Sequence, residues 1–219
     1  MHGGAMPAAL AEQGVAMVLP VNCWGDWWHN GARVADNQFE ADFFFRSGRT
    51  SATWAFRAAS DPGFADVIGL EMPFEADPQA LFLVGLGEGG RALGELLHSD
   101  DDQDDVPDFV PHAAVVDSLI DDLAILAAVQ PATAIGLDRI FPMGRFDDGA
   151  LGTAPMLPPI FFAYSPVDPA VPSGSQDRLL ALLEADPRHG ISTSPVPLHV
   201  LTNNNLELAT EAVDFLLAQ

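Results

Sequence analysis

The sequence has no lysine: all nine of its basic residues are arginine, against 31 Asp and Glu, for a net charge of -22. A surface of that sign repels phosphate backbones and anionic lipid, which excludes nucleic acid as a partner. It suits solubility in high salt or beside divalent cations. A GC-rich genome that favours Arg, Asp and Ala would give the same composition. The single cysteine, Cys23, excludes an internal disulfide and a cysteine-only metal site; a small core or pocket-lining residue is its expected role. No apolar run is long enough for a transmembrane helix, so no membrane span is expected. Met1-His2-Gly3-Gly4 puts no basic residues ahead of an apolar stretch, so the start as written does not read as a signal peptide. No serine anywhere stands in a G-x-S-x-G setting.

What is there is enough for one large core: 219 residues, 48% of them hydrophobic. Short apolar runs predict strands at Val15–Val21, Ala80–Val84, His112–Asp117, Pro159–Tyr164 and Leu198–Leu201. Helices are expected over Thr50–Ala59, Arg91–His98, Asp121–Val129, Gln176–Ala185 and Leu206–Leu217, with Asp61-Pro62-Gly63 stopping the first of them. In the last, Leu208, Ala212, Val213, Phe215 and Leu216 make an apolar face. Residues 130–158, rich in Pro and Gly, read as a lid or cap segment. Strands that are almost wholly apolar, alternating with helices, give an α/β fold: a mostly parallel sheet covered by helices on both faces. The linkers are short, so residues 1–219 are read as a single domain.

Ala80 to Leu97 runs as strand, glycine turn and helix. Two motifs use that geometry. Gly85, Gly87 and Gly90 match the dinucleotide fingerprint G-x-G-x-x-G, in which a pyrophosphate sits on a helix N-terminus. Asp117 is then the acidic residue at the end of the next strand, further along than the usual spacing, and the loop between is strongly acidic. In the other motif, the nucleophile elbow, a strained turn lifts a hydroxyl above the sheet. Gly85 and Gly89 then match G-x-S-x-G, and Gly87 occupies the serine position.

Three further segments extend the second match. Asp168-Pro169-Ala170-Val171-Pro172 follows the Pro159–Tyr164 strand; Leu198 to Leu217 reads as strand, loop and closing helix; His2-Gly3-Gly4 has the form of an oxyanion loop. Together they resemble an esterase-like α/β-hydrolase over most of the chain. The resemblance implies that Asp168 is the acid of a catalytic triad on the loop after the seventh strand. It implies that Gly3 and Gly4 belong to the oxyanion loop after the third strand, just where this sequence starts. It also implies that the histidine loop is Leu201–Leu206, where Asn204 stands in the histidine's place. Glycine offers no nucleophile and asparagine no base near neutral pH, so a degenerate triad with weak or no serine-hydrolase activity is expected. Glu88, beside the elbow, is a candidate carboxylate nucleophile, although a Glu also suits the start of a helix. His112 and His199 read as structural residues on strands, and Asp117-Ser118 as a lesser candidate at a strand end. A small ester-like ligand is the expected partner, and no organic cofactor is expected.

Asp100 to Asp108, DDDQDDVPD, carries aspartates at positions 1, 3, 5 and 9. Hard cations need several oxygens converging on one point, and alternate carboxylates on a tight loop supply them. The loop resembles those of thrombospondin type 3 repeats and EF-hand-like sites. That implies calcium held by Asp100, Asp102, Asp104 and Asp108 with the Val106 carbonyl. Asp105 stands where such loops have glycine, and no Glu occupies position 12. Loops of this kind work where calcium is plentiful, so export by a signal ahead of Met1 is the matching expectation. Asn22 to Asn30, with three tryptophans, Asp26 and His29, reads as a pocket lining or a packed flap.

Overall fold

The computed structural model describes residues 5–16, 55–67, 69, 77, 79–86, 90, 93, 96–97, 110–119, 156–168, 171, 173–195 and 205–219. In these, four strands, β1 (Phe82–Leu86), β2 (Ala113–Asp117), β3 (Ile160–Tyr164) and β4 (Gly190–Thr193), form one sheet in the order β1-β2-β3-β4. Every neighbouring pair is parallel. Leu86 is in register with Asp117, Asp117 with Ala163 and Tyr164 with Thr193, so the carboxyl ends lie along one edge.

Parallel neighbours need crossovers, and the crossover helices need an apolar sheet face to lie on. β2 and β3 offer two such faces, because their side chains alternate. Ala113, Val115, Phe161 and Ala163 pack with α1 (Ala5–Glu12) and α4 (Leu206–Leu217) in one buried cluster. Ala114, Val116, Ile160 and Phe162 pack on the other side with Leu93, Leu97 and Leu119 and with Leu179 and Leu183 of α3 (Asp177–Glu184). The expected fold class is therefore the observed one.

Local signals set the helix ends. Asn205 caps α4, its side chain accepting the Leu208 N–H at 3.1 Å, and Leu208, Ala209, Ala212, Val213 and Leu216 are buried. α1 has no counterpart among the expected elements. It has no acidic first turn and no basic last turn; its alanines favour helix without making a stripe. It ends on Gly14, φ +73°, with the Val15 N–H returning to the Leu10 carbonyl at 3.0 Å, a glycine-terminated cap. Val15 and Ala16 are not in a strand; the rest of the expected Val15–Val21 strand lies outside the described residues. The Asp61-Pro62-Gly63 stop does end the helical segment of residues 55–60, and it also starts another, α2 (Pro62–Val67). Asp61 Oδ1 accepts the Gly63 N–H at 2.9 Å, with Pro62 in the first helical position, where it needs no donor.

β1 runs two residues past the expected end of its strand. Gly85 and Leu86 belong to β1, paired with Val116 and Asp117, because a neighbouring strand that runs on can hold glycine in extended backbone. Gly90, on the helix that follows, has a packing role: a Cβ there would lie 2.6 Å from Val116 Cγ1. Only glycine lets that helix approach the sheet so closely.

At the amino ends of the strands lies an open groove of about 580 Å³, lined by Gln79, Val110, His112, Met156 and Arg188 among others. Beside it, His189 links two strands. Its Nδ1 accepts the Ile160 N–H at 3.0 Å, and its side chain is 2% exposed. Burial pushes its pKa below the usual 6.5, against the nearby Asp186 carboxylate. Asp186 is itself pulled down from 3.8 to about 2 by its hydrogen bonds to Arg188. A depressed pKa means that the unfolded state binds more protons, so stability rises with pH across the shift. The His189 contribution is complete above about pH 6.5 and is lost as pH falls through its lowered folded value. The Asp186 contribution is lost lower, from 3.8 down through about 2. Urea unfolding at pH 7.5 and 5 should therefore show lower stability at pH 5, with His189→Gln flattening that difference; an unchanged slope in the variant would contradict this assignment.

Candidate functional site

The buried polar side chains are not scattered. Among the described residues they are Asp117, Ser118, Ser165, Asp168, Ser175, Gln176 and Ser194. Asp117 and Ser118 close β2, Ser165 and Asp168 follow β3, Ser175 and Gln176 lead into α3, and Ser194 follows β4. All seven thus gather at the carboxyl edge of the sheet, where sheets of this kind form a ligand crevice. Burying polar groups is costly unless they are bonded, and the backbone does part of that work. The Ser118 N–H reaches the Ala163 carbonyl at 2.9 Å and the Ser194 N–H reaches the Tyr164 carbonyl at 3.0 Å, each extending a strand ladder by one step. Gln176 Nε2 donates to the Leu119 carbonyl at 2.9 Å, tying α3 to the end of β2.

Asp168, the sequence-expected acid, stands in this group. A tight turn carries it: its N–H donates to the Ser165 carbonyl at 3.2 Å, and its own carbonyl accepts the Val171 N–H at 3.3 Å. The side chain is buried. Ser165, at the other end of the turn, is buried too, and among the described residues its Oγ is the buried side-chain atom that makes no hydrogen bond.

Ser118 has a positive φ of +55°, the one non-glycine residue among those described to do so. A left-handed backbone costs an L-residue about 1–2 kcal/mol. Here its N–H bond to Ala163 and a 2.6 Å bond from its Oγ to Asp117 Oδ1 hold it. Asp117 is fully buried.

Gly87, Glu88, Asn204, Gly3 and Gly4 lie outside the described residues, as do Asp100, Asp102, Asp104, Val106 and Asp108 and the expected lid up to Pro155. Among the described residues no group of three or more His, Cys, Asp or Glu is placed to hold a metal, and no helix is long and apolar enough to cross a membrane. Ser165, Ser194 and Gln176 escape a sequence reading because single polar residues after a strand carry no motif. The strand beside β3 escapes it too. Gly-Ile-Ser-Thr has one large apolar residue, and three of its four residues are only half-buried, as suits the last strand of a sheet order. The strand expected at Leu198–Leu201 lies outside the described residues.

No family model and no curated protein matches the sequence. Solved structures do. A sugar hydrolase from Lactococcus lactis aligns over 100% of this chain and 83% of its own length, at a TM-score of 0.52 and 12% identity. An acetyl ester-xyloside bifunctional hydrolase from Caldicellulosiruptor lactoaceticus aligns over 73% of this chain and 62% of its own, at 0.50 and 16%. The chain has the α/β-hydrolase fold. An esterase from Thermogutta terrifontis aligns over 75% of the chain at a TM-score of 0.48 and 16% identity; this chain spans 62% of that esterase's length.

Proposed function

We propose that the chain is an esterase-like α/β-hydrolase protein that takes a small ester-like ligand at the carboxyl edge of its sheet, with weak or no hydrolysis through the usual elbow. One observation carries this reading: Asp168 is buried in the turn that follows β3, while β1 ends at Leu86 and leads directly into Gly87. The acid is kept where the elbow hydroxyl is absent. Gly3 and Gly4 supply the oxyanion loop in this reading.

The position of β4 changes the choice of base. With β4 ending at Thr193 and α4 starting at Leu206, the connection between them holds both Asn204 and His199. Only His199 has base chemistry near neutral pH, so we assign the histidine role to it ahead of Asn204. The missing part is then the nucleophile alone. Glu88 as a carboxylate nucleophile gains no support from the described residues. The dinucleotide reading weakens on two counts: Gly90 is explained by its packing on Val116, and Asp117 is buried against Ser118 rather than presented to a ribose.

For the Asp100–Asp108 loop we propose calcium, on the spacing of its carboxylates and their mutual repulsion when unfilled. Two experiments test these readings. Gly87→Ser should raise turnover of a short p-nitrophenyl ester by about 10²-fold or more and allow a fluorophosphonate to label residue 87; turnover unchanged from the native chain would overturn the single-loss reading. Millimolar calcium should raise the melting temperature by about 3 °C or more and a chelator should reverse it; a midpoint that neither moves would remove the calcium site.

A further inference from the structure

Resting on the esterase-like reading, we infer that Ser118, paired with Asp117, is a nucleophile that this chain carries at the end of the strand beside β1, in a chain whose elbow position holds glycine. Three observations converge on it. Ser118 ends a parallel strand with φ +55°, the kind of strained strand-end turn that presents a nucleophile's hydroxyl above a sheet. Residues held in such backbone cluster at functional sites because the surrounding structure must sustain them. Its Oγ already has a proton acceptor, Asp117 Oδ1, at 2.6 Å. Its place is also right: Leu86 is in register with Asp117, so Ser118 stands one step beyond the last residue of β1, beside the strand end that leads to Gly87. Across the next strand, Ser165 contributes a buried hydroxyl with no partner, a donor for an acyl oxygen.

The chemistry balances within the pair. Ser118 Oγ bonds to the ester carbonyl carbon as its proton passes to Asp117. The bond from that carbon to the alkoxy oxygen breaks, and the leaving oxygen takes the proton away as an alcohol. Water then attacks the acyl-serine and gives a proton to Asp117, which returns it to Ser118 Oγ as the acid departs. With a carboxylate as sole base, in place of an imidazole, the reaction is slow.

The native chain, incubated with a fluorophosphonate probe and mapped by peptide mass spectrometry, should carry a slowly formed adduct on Ser118, with fluoride lost. Ser118→Gly, which accepts a positive φ, should lose that adduct, and Asp117→Asn should form it at least about tenfold more slowly. No adduct in the native chain, an adduct on Ser165 or Ser194 instead, or labelling that survives Ser118→Gly would overturn the inference. Gly87→Ser, labelled in parallel, keeps the two readings apart. An adduct at residue 87 without one at Ser118 upholds the esterase-like reading and overturns this one. Labelling at Ser118 alone upholds this inference and shows that the elbow lacks more than its serine.

Discussion

Both faces of a parallel sheet must be covered, and that constraint organises the described molecule. Consecutive residues of β2 and β3 point to opposite sides, so each strand serves two helix layers at once. The strand interior therefore has no room for a polar side chain; Ala113, Ala114, Val115, Val116, Ile160, Phe161, Phe162 and Ala163 are all buried and apolar. Polar groups are displaced to the strand ends, and the buried ones collect at the carboxyl edge. The gathering of buried polar groups at that edge is thus a consequence of how the core is packed. Gly90 belongs to the same constraint, since the helix after β1 rests on Val116 at a distance no Cβ would permit.

The two ends of the sheet differ in what their polar groups do. At the amino end, Arg188 donates to the Asp186 carboxylate, and His189, with Asp186 nearby, accepts the Ile160 N–H and fastens the start of β4 to β3; both Asp186 and His189 answer to pH through stability. At the carboxyl end the groups are hydroxyls and carboxylates on short turns, one of them strained and one without a partner.

The legible part of this architecture was the part written as apolar runs. β2, β3 and α4 stand within a residue of their expected positions, and Asp168 lies buried in the turn after β3. What stayed hidden has physical reasons. β4 is an edge-like strand of mostly small and polar residues, so hydrophobic periodicity passes over it. α1 is alanine-rich and shows no stripe. β1 runs through Gly85 and Leu86 because pairing with β2 outweighs glycine's preference for a turn. The strain at Ser118 leaves no mark in composition at all, since only a backbone angle reveals it.

An ester-like ligand bound as proposed meets the carboxyl edge of the sheet. Amide chemical-shift changes in isotope-labelled protein titrated with a short alkyl ester such as ethyl butyrate measure this directly. The predicted changes centre on Ser118, Ser165, Asp168 and Ser194, with Ile160, His189 and Gly190 unmoved. Shifts gathered instead around Gln79, Val110, Met156 and Arg188, at the amino-end groove, would contradict it.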